Sequence, residues 1–123
     1  MRYEEITDRI LATAFDVCNE LGSGFLESVY EKSLLIALRQ NGLSAESQVS
    51  IDVNFRDQNV GHFAADIIVE KKVLIELKTV DQLVSKHISQ VLNYLKATGI
   101  EVGLLINFGN SKLEYRRFNN RFG

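Results

Sequence analysis

Proline and tryptophan are absent from this 123-residue chain, cysteine and methionine occur once each, and no long apolar run is present. Each absence excludes something. The lone Cys18 can form neither an intrachain disulfide nor a cysteine-ligated zinc or iron–sulfur site, and a free thiol fits a reducing cytoplasm. A membrane-spanning helix needs roughly 18 or more consecutive apolar residues, and a signal peptide needs a basic and then an apolar N-terminus; the sequence shows neither. The expectation is a soluble, cytoplasmic protein with no membrane partner. Without proline, boundaries must be read from glycine and from changes of hydrophobic period. What is present, 46% hydrophobic and 24% charged residues, suffices for one core and not for two, so residues 1–123 read as a single domain.

Net charge is −2, which speaks against a strong general attraction to nucleic acid, since phosphate binding draws on Lys and Arg. The average hides an asymmetry. Residues 1–31 hold two basic and seven acidic side chains, a balance of −5, whereas residues 32–123 hold twelve and nine, a balance of +3. Metal bound to carboxylates of the second part would make it more basic still, enough for a local phosphate-binding groove.

Hydrophobic period divides the chain into elements. Ile6, Ile10, Ala14, Val17 and Leu21 recur at helical spacing over residues 5–21, and Gly22-Ser23-Gly24 stops the helix. A second helix is predicted over 26–40, with Val29, Tyr30, Leu34, Ala37 and Leu38 facing inward and Asn41-Gly42 as its stop. The pair should form a helical hairpin. From Gln48 the period becomes two, and Val49, Ile51, Val53 and Phe55 alternate with polar residues as in a strand with one wet face. Asp57-Gln58-Asn59 reads as a turn. Runs at 60–70 and 73–80 are almost continuously apolar, as in central strands covered on both faces, with Glu70-Lys71-Lys72 between them. A third helix over 84–98 ends at Gly99, and strands at 102–108 and 113–118 complete the order α-α-β-β-β-α-β-β. The fold class is α/β (α+β), a mixed central sheet flanked by helices.

The anomaly lies in the two central runs. Asp66 interrupts Phe63-Ala64-Ala65-Asp66-Ile67-Ile68-Val69, and Glu76 and Lys78 interrupt Val73-Leu74-Ile75-Glu76-Leu77-Lys78. Charge in an apolar strand is costly unless it is paired or binds metal, so the placement points to a site. Carboxylates holding Mg²⁺ or Mn²⁺ suit phosphodiester hydrolysis, because the metal activates water and neutralises phosphoryl charge. Asp66 and Glu76 would be the metal ligands. Glu76 and Lys78, two apart in a strand, share a face, so the ammonium would stand beside the metal to orient water or stabilise developing charge. Register tests the idea. A three-residue connection at Glu70-Lys71-Lys72 pairs Val69 with Val73 and sets Asp66 opposite Glu76, whereas a two-residue turn sets Asp66 opposite Leu77. The first arrangement is predicted. On the third helix His87, Gln90 and Tyr94 fall in one arc beside Ile88, Val91, Leu92 and Leu95, a polar ridge from which Gln90 can orient Lys78 or water and Tyr94 can meet a phosphate.

Gly24-Phe25-Leu26-Glu27-Ser28-Val29-Tyr30 has the pattern Gly-x-x-Glu-x-x-Tyr, and with Asp66, Glu76-Leu77-Lys78, His87, Gln90-x-x-x-Tyr94 and Gly103-Leu104-Leu105-Ile106-Asn107-Phe108 the chain resembles the GxxExxY family over roughly residues 5–118. That family is placed in the PD-(D/E)xK, or restriction-endonuclease-like, nuclease superfamily. The resemblance implies a restriction-endonuclease-like fold and a prokaryotic, Mg²⁺- or Mn²⁺-dependent nuclease. It maps Asp66, Glu76 and Lys78 onto the catalytic motif, likens Gln90 and Tyr94 to the Gln-x-x-x-Tyr signature of the exonuclease branch, and makes Glu27 the counterpart of a helix glutamate that approaches the metal. Ala65 stands where the superfamily's name has proline, and the cysteine cluster of the iron–sulfur members is missing.

Plainer readings stand beside these. Glu27 near a helix start also favours the helix dipole and bare amides without any metal. Tyr30 reads as a core residue of the helical hairpin, His87 as a surface or capping residue, and Cys18 as a small buried hydrophobe. Lys71 and Lys72 keep a hairpin turn solvated, while Arg116, Arg117 and Arg121 either contact phosphates or balance an edge strand. The leading expectation is a metal-dependent nuclease acting on DNA, self-associating into a homodimer or larger complex to grip a duplex. The alternative is a catalytically inactive nuclease-fold module that binds nucleic acid or protein. Small-molecule phosphate hydrolysis lacks a glycine-rich cradle.

Overall fold

Three helices and a five-stranded mixed sheet form where the hydrophobic periods place them. The computed structural model describes residues 3–120, so Arg121, a candidate phosphate contact, lies outside the described residues. The order is α1 (Glu4–Leu21), α2 (Glu27–Gln40), β1 (Ala45–Phe55), β2 (Gln58–Val69), β3 (Val73–Lys78), α3 (Ser85–Thr98), β4 (Val102–Asn107) and β5 (Glu114–Asn119). The strands lie side by side in chain order. Only β3 and β4 run parallel, joined through α3, and the other neighbours are antiparallel.

Alternation along the strands sorts the core into two layers. On one face Ile10, Val17, Tyr30, Leu34 and Leu38 of the α1–α2 hairpin pack with Val73, Ile75, Leu77, Leu104 and Ile106. On the other, Val91 and Leu95 of α3 pack with Ala65, Leu74 and Leu105. Gly103 lets α3 come close, since a Cβ there would stand 2.8 Å from Val91 Cγ1. At the far end of β4 the buried Asn107 ties the corner together: its side-chain oxygen accepts the N–H of Val80 (3.0 Å) and Gly109 (2.9 Å), and its amide donates to Val80 O (2.8 Å) and Glu114 Oε1 (3.0 Å). Every polar group of that side chain is satisfied, as burial demands.

Two local expectations are corrected. The β1–β2 connection is Arg56-Asp57, with φ of 50° and 63° and Phe55 paired to Gln58, rather than Asp57-Gln58-Asn59. Two-residue hairpins match strand twist when both residues are left-handed, a conformation usually marked by Asn-Gly and here adopted by residues that do not announce it. The ribbon also outruns its helices. Val53, Phe55 and Val60 are exposed, so the alternation that gives β1 one wet face runs from Ala45 to Ile51 and stops there, and β2 enters the core only from Ala65 onward. By contrast β3 is buried from Val73 to Leu77, as expected of a central strand.

The Asn107 corner gives a stability test. A Cβ on Gly109 would stand 2.3 Å from Val80 O and 2.5 Å from Val80 N, whereas one on Gly61 would meet nothing within 4 Å. Gly109→Ala should therefore cost at least the ~1–3 kcal/mol typical of overpacking, and Gly61→Ala much less. Equal melting temperatures for the two variants would contradict this packing.

Candidate metal and phosphate site

Val69 pairs with Val73, Ile68 with Leu74 and Ile67 with Ile75, so the connection is the three-residue one and the next positions out are Asp66 and Glu76. There the backbone ladder stops and side chains take over. The Asp66 N–H donates to Glu76 Oε1 (3.1 Å), and the Leu77 N–H donates to Asp66 Oδ2 (2.8 Å). Each carboxylate satisfies a peptide donor that the opposite strand no longer reaches. At this point β2 also changes layer: Ile67 and Val69 belong to the α1–α2 side, while Ala65 joins the α3 side and Phe63 stacks on Tyr94 with ring centroids 3.7 Å apart. The parting exposes one spot to groups from both layers.

From one layer α2 brings Glu27 and Glu31, one helical turn apart. The chain turns through Gly24 at φ 112°, and the buried Tyr30 holds the turn: its hydroxyl donates to Gly22 O (2.6 Å) and accepts the Phe25 N–H (3.2 Å), while its ring stacks on Phe108 at 4.9 Å. Gly-x-x-Glu-x-x-Tyr is thus one structural unit. Its glycine bends the chain, its tyrosine fixes where α2 begins, and its glutamate falls near Asp66 and Lys78. Burial raises the Glu27 carboxyl above its ordinary value, as does the charge of Asp66, and Lys78 pulls it back.

Glu31 and Gln48 were not singled out by sequence. Gln48 Nε2 donates to both Glu31 oxygens (2.9 and 3.0 Å) and lies 3.5 Å from Asp66 Oδ1. Burial raises the Glu31 carboxyl, the Gln48 bond opposes the shift, and Asp66 and Glu27 add to it. The spacing Glu27-x-x-x-Glu31, which puts both on one face of α2, was the signal available; for Gln48 there was none. Glu76, only 3% exposed, is pushed up to about 8, first by burial and then by the charge of Asp66.

From β3 and α3 come the remaining groups. Lys78 is half-buried and acts electrostatically on Glu27, Glu76 and His87, while the intervening Leu77 points into the α1–α2 layer. Gln90 Nε2 donates to the Tyr94 hydroxyl (2.9 Å), so the amide engages Tyr94 rather than Lys78. Burial raises the Tyr94 hydroxyl, Gln90 opposes the shift, and Glu76 and Asp66 add to it. His87 is a buried capping residue whose Nδ1 accepts the Val84 N–H (3.0 Å), and burial, Lys78 and Lys86 lower its pKa. Arg117 reaches Thr7 Oγ1 (2.9 Å) and Arg116 lies over the Phe118 ring at 5.8 Å. The first contact ties β5 to α1, and the second lies within β5 itself.

Among the described residues no three His, Cys, Asp or Glu side chains form a complete metal-holding group. The pair Asp66 and Glu76 nonetheless has the right donor chemistry. The two peptide N–H groups engage Asp66 Oδ2 and Glu76 Oε1, which leaves the second oxygen of Glu76 and, beside its 3.5 Å contact with Gln48, Asp66 Oδ1; Mg²⁺ is commonly held by one or two carboxylates with waters and phosphate oxygens completing its shell. Glu27, the expected third ligand, is linked electrostatically to Asp66 of the pair.

The family model of the PD-(D/E)XK nuclease superfamily matches residues 4–118. No curated protein matches significantly. The crystal structure of SSO0001 is similar in fold, with a TM-score of 0.61 and 21% identity; the match covers 97% of this chain and 60% of that one. At that identity the likeness concerns the fold alone.

Burial of Glu76 dictates a pH dependence. A carboxyl raised from 4.5 to about 8 favours the folded state while protonated, so its contribution is full below about 4.5 and is lost as pH rises through about 8. The melting temperature in EDTA should fall across that window, and Glu76→Gln should remove most of the fall. A flat profile for the unsubstituted protein would contradict the burial.

Proposed function

This chain belongs to the PD-(D/E)XK nuclease superfamily, and from that premise we propose that it is a divalent-metal-dependent nuclease that hydrolyses phosphodiester bonds in DNA. The observation that carries the reading is the register that sets Asp66 against Glu76 with Lys78 on the same strand. When bound, Mg²⁺ or Mn²⁺ would lower the pKa of water and neutralise charge on the phosphoryl oxygens. Asp66 and Glu76 would hold it through the oxygens that the peptide N–H groups do not engage. Lys78 would orient the attacking water or stabilise charge at the phosphorus, from a strand whose burial fixes its position. Tyr94, its hydroxyl engaged by Gln90 and its ring by Phe63, would meet a phosphate oxygen of the substrate strand.

Support for a strand path comes from the other side of Tyr94. A cavity of about 630 Å³ opens there, lined by Asp52, Val53, Phe63, Asn93 and Tyr94, between the outer β1–β2 ribbon and α3. Glu27 would approach the metal from α2. A domain of this size would grip a duplex as a homodimer or within a larger complex. A second reading, a non-catalytic interaction module, draws on the exposed Val53, Phe55 and Val60 of the ribbon.

Nicking of plasmid and cleavage of single-stranded DNA with Mn²⁺ test the proposal. Lys78→Ala should lose about 10²-fold or more in rate while still binding Mn²⁺, as for removal of a charge-stabilising group, and Asp66→Asn should lose both properties. Metal-dependent cleavage that survives both substitutions would contradict it.

A further inference from the structure

We propose that Gln48 is a positioning residue of this site, holding the Glu31 and Asp66 carboxylates together from a backbone conformation retained for that purpose. The inference rests on the divalent-metal reading above and deepens it. Six non-glycine residues have positive φ among the described residues. Tyr3 caps α1, Arg56 and Asp57 form the β1–β2 turn, and Glu70 and Lys71 lie in the β2–β3 connection. Gln48, at φ 50°, is the one inside a strand.

No inserted residue explains that backbone. Ser47 pairs with Ile67 and Val49 with Ala65, so register is the same on both sides of Gln48, and the irregularity in this ribbon lies elsewhere, at Val53 and Asn54. A left-handed residue in a strand is strained for any side chain but glycine, and such strain persists where function holds it. Here the kink stands opposite Asp66, where β2 changes layer, and the side chain it carries spans two acidic groups. The nitrogen sits 2.9 and 3.0 Å from the Glu31 oxygens and 3.5 Å from Asp66 Oδ1.

The chemistry suits an amide. With carboxylates on both sides, only its NH₂ end can face them, and its two hydrogens can serve two acceptors. Lysine or arginine in that place would neutralise the negative field that attracts a divalent cation. The neutral donor draws the carboxylates together and leaves their charge intact. Without it, only a proton shared between Glu31 and Asp66 would offset their repulsion, and Asp66 Oδ1 would lose its lateral support.

Gln48→Gly separates this role from a merely structural one, because glycine removes the amide and relieves the left-handed backbone. In EDTA the variant should melt no lower than the parent. By calorimetry it should bind Mn²⁺ about tenfold more weakly, as for loss of a group that orients a metal ligand. Gln48→Asn, which tolerates the same backbone but is one methylene short, should show the same loss. If Gln48 acts through Glu31, then in a Glu31→Gln background Gln48→Gly should change the affinity by less than about twofold. Unchanged Mn²⁺ affinity in both single variants, or a lower melting temperature in EDTA with affinity preserved, would overturn the inference alone. Failure of the parent to bind Mn²⁺ would overturn the metal reading and this inference with it.

Discussion

Everything in the site follows from the place where β2 and β3 part. Up to Ile67 and Ile75 the strands are joined by an ordinary antiparallel ladder, and just beyond it the N–H groups of Asp66 and Leu77 are each met by a carboxylate of the other strand. The hydrophobic layers fix that place. Ile67, Val69, Val73 and Ile75 all bury into the α1–α2 side, so a slip of one residue would turn an apolar set outward and set Asp66 against Leu77. Core and candidate chemistry therefore share one register, and neither can shift without the other.

The same parting makes the electrostatics unusual. Asp66 acts on Glu27, Glu31 and Glu76, and Glu27 on Glu31, where partial burial makes repulsion stronger than in water. The fold tolerates the crowding by three means. Glu76 keeps a proton near neutral pH, Lys78 supplies a cation from the neighbouring strand position, and Gln48 bridges two of the carboxylates. A divalent cation would do what the proton does and more, since it can be shared by both members of the Asp66–Glu76 pair.

Much of this was legible in the sequence because buried elements keep strict periods. The element order, the three-residue connection and the interest of Asp66, Glu76 and Lys78 followed from apolar runs with charges inside them. Tyr30 was read as core and is core; that its hydroxyl also clamps the turn before α2 could not be read from spacing. The Arg56-Asp57 turn was hidden because neither residue advertises a left-handed conformation, and Gln48 was hidden for the same reason. Val53 and Phe55 alternate like half-buried strand residues, yet exposure depends on how far the helices extend, which alternation does not encode. Asn107 stands near the end of an apolar run, and a polar residue there is the visible sign of a corner closed by four hydrogen bonds, although spacing does not name its partners.

The central claim, that Asp66 and Glu76 form a divalent-metal site, is tested most directly by counting protons. Mn²⁺ binding can be measured by calorimetry at pH 7 in buffers of different ionisation enthalpy, which reports how many protons leave the protein. With Glu76 pushed up to about 8, binding at pH 7 should release close to one proton, and the release should vanish above about pH 9 and in Glu76→Gln. Binding with no proton release at pH 7, or with the same release in Glu76→Gln, would place the metal elsewhere and contradict the site.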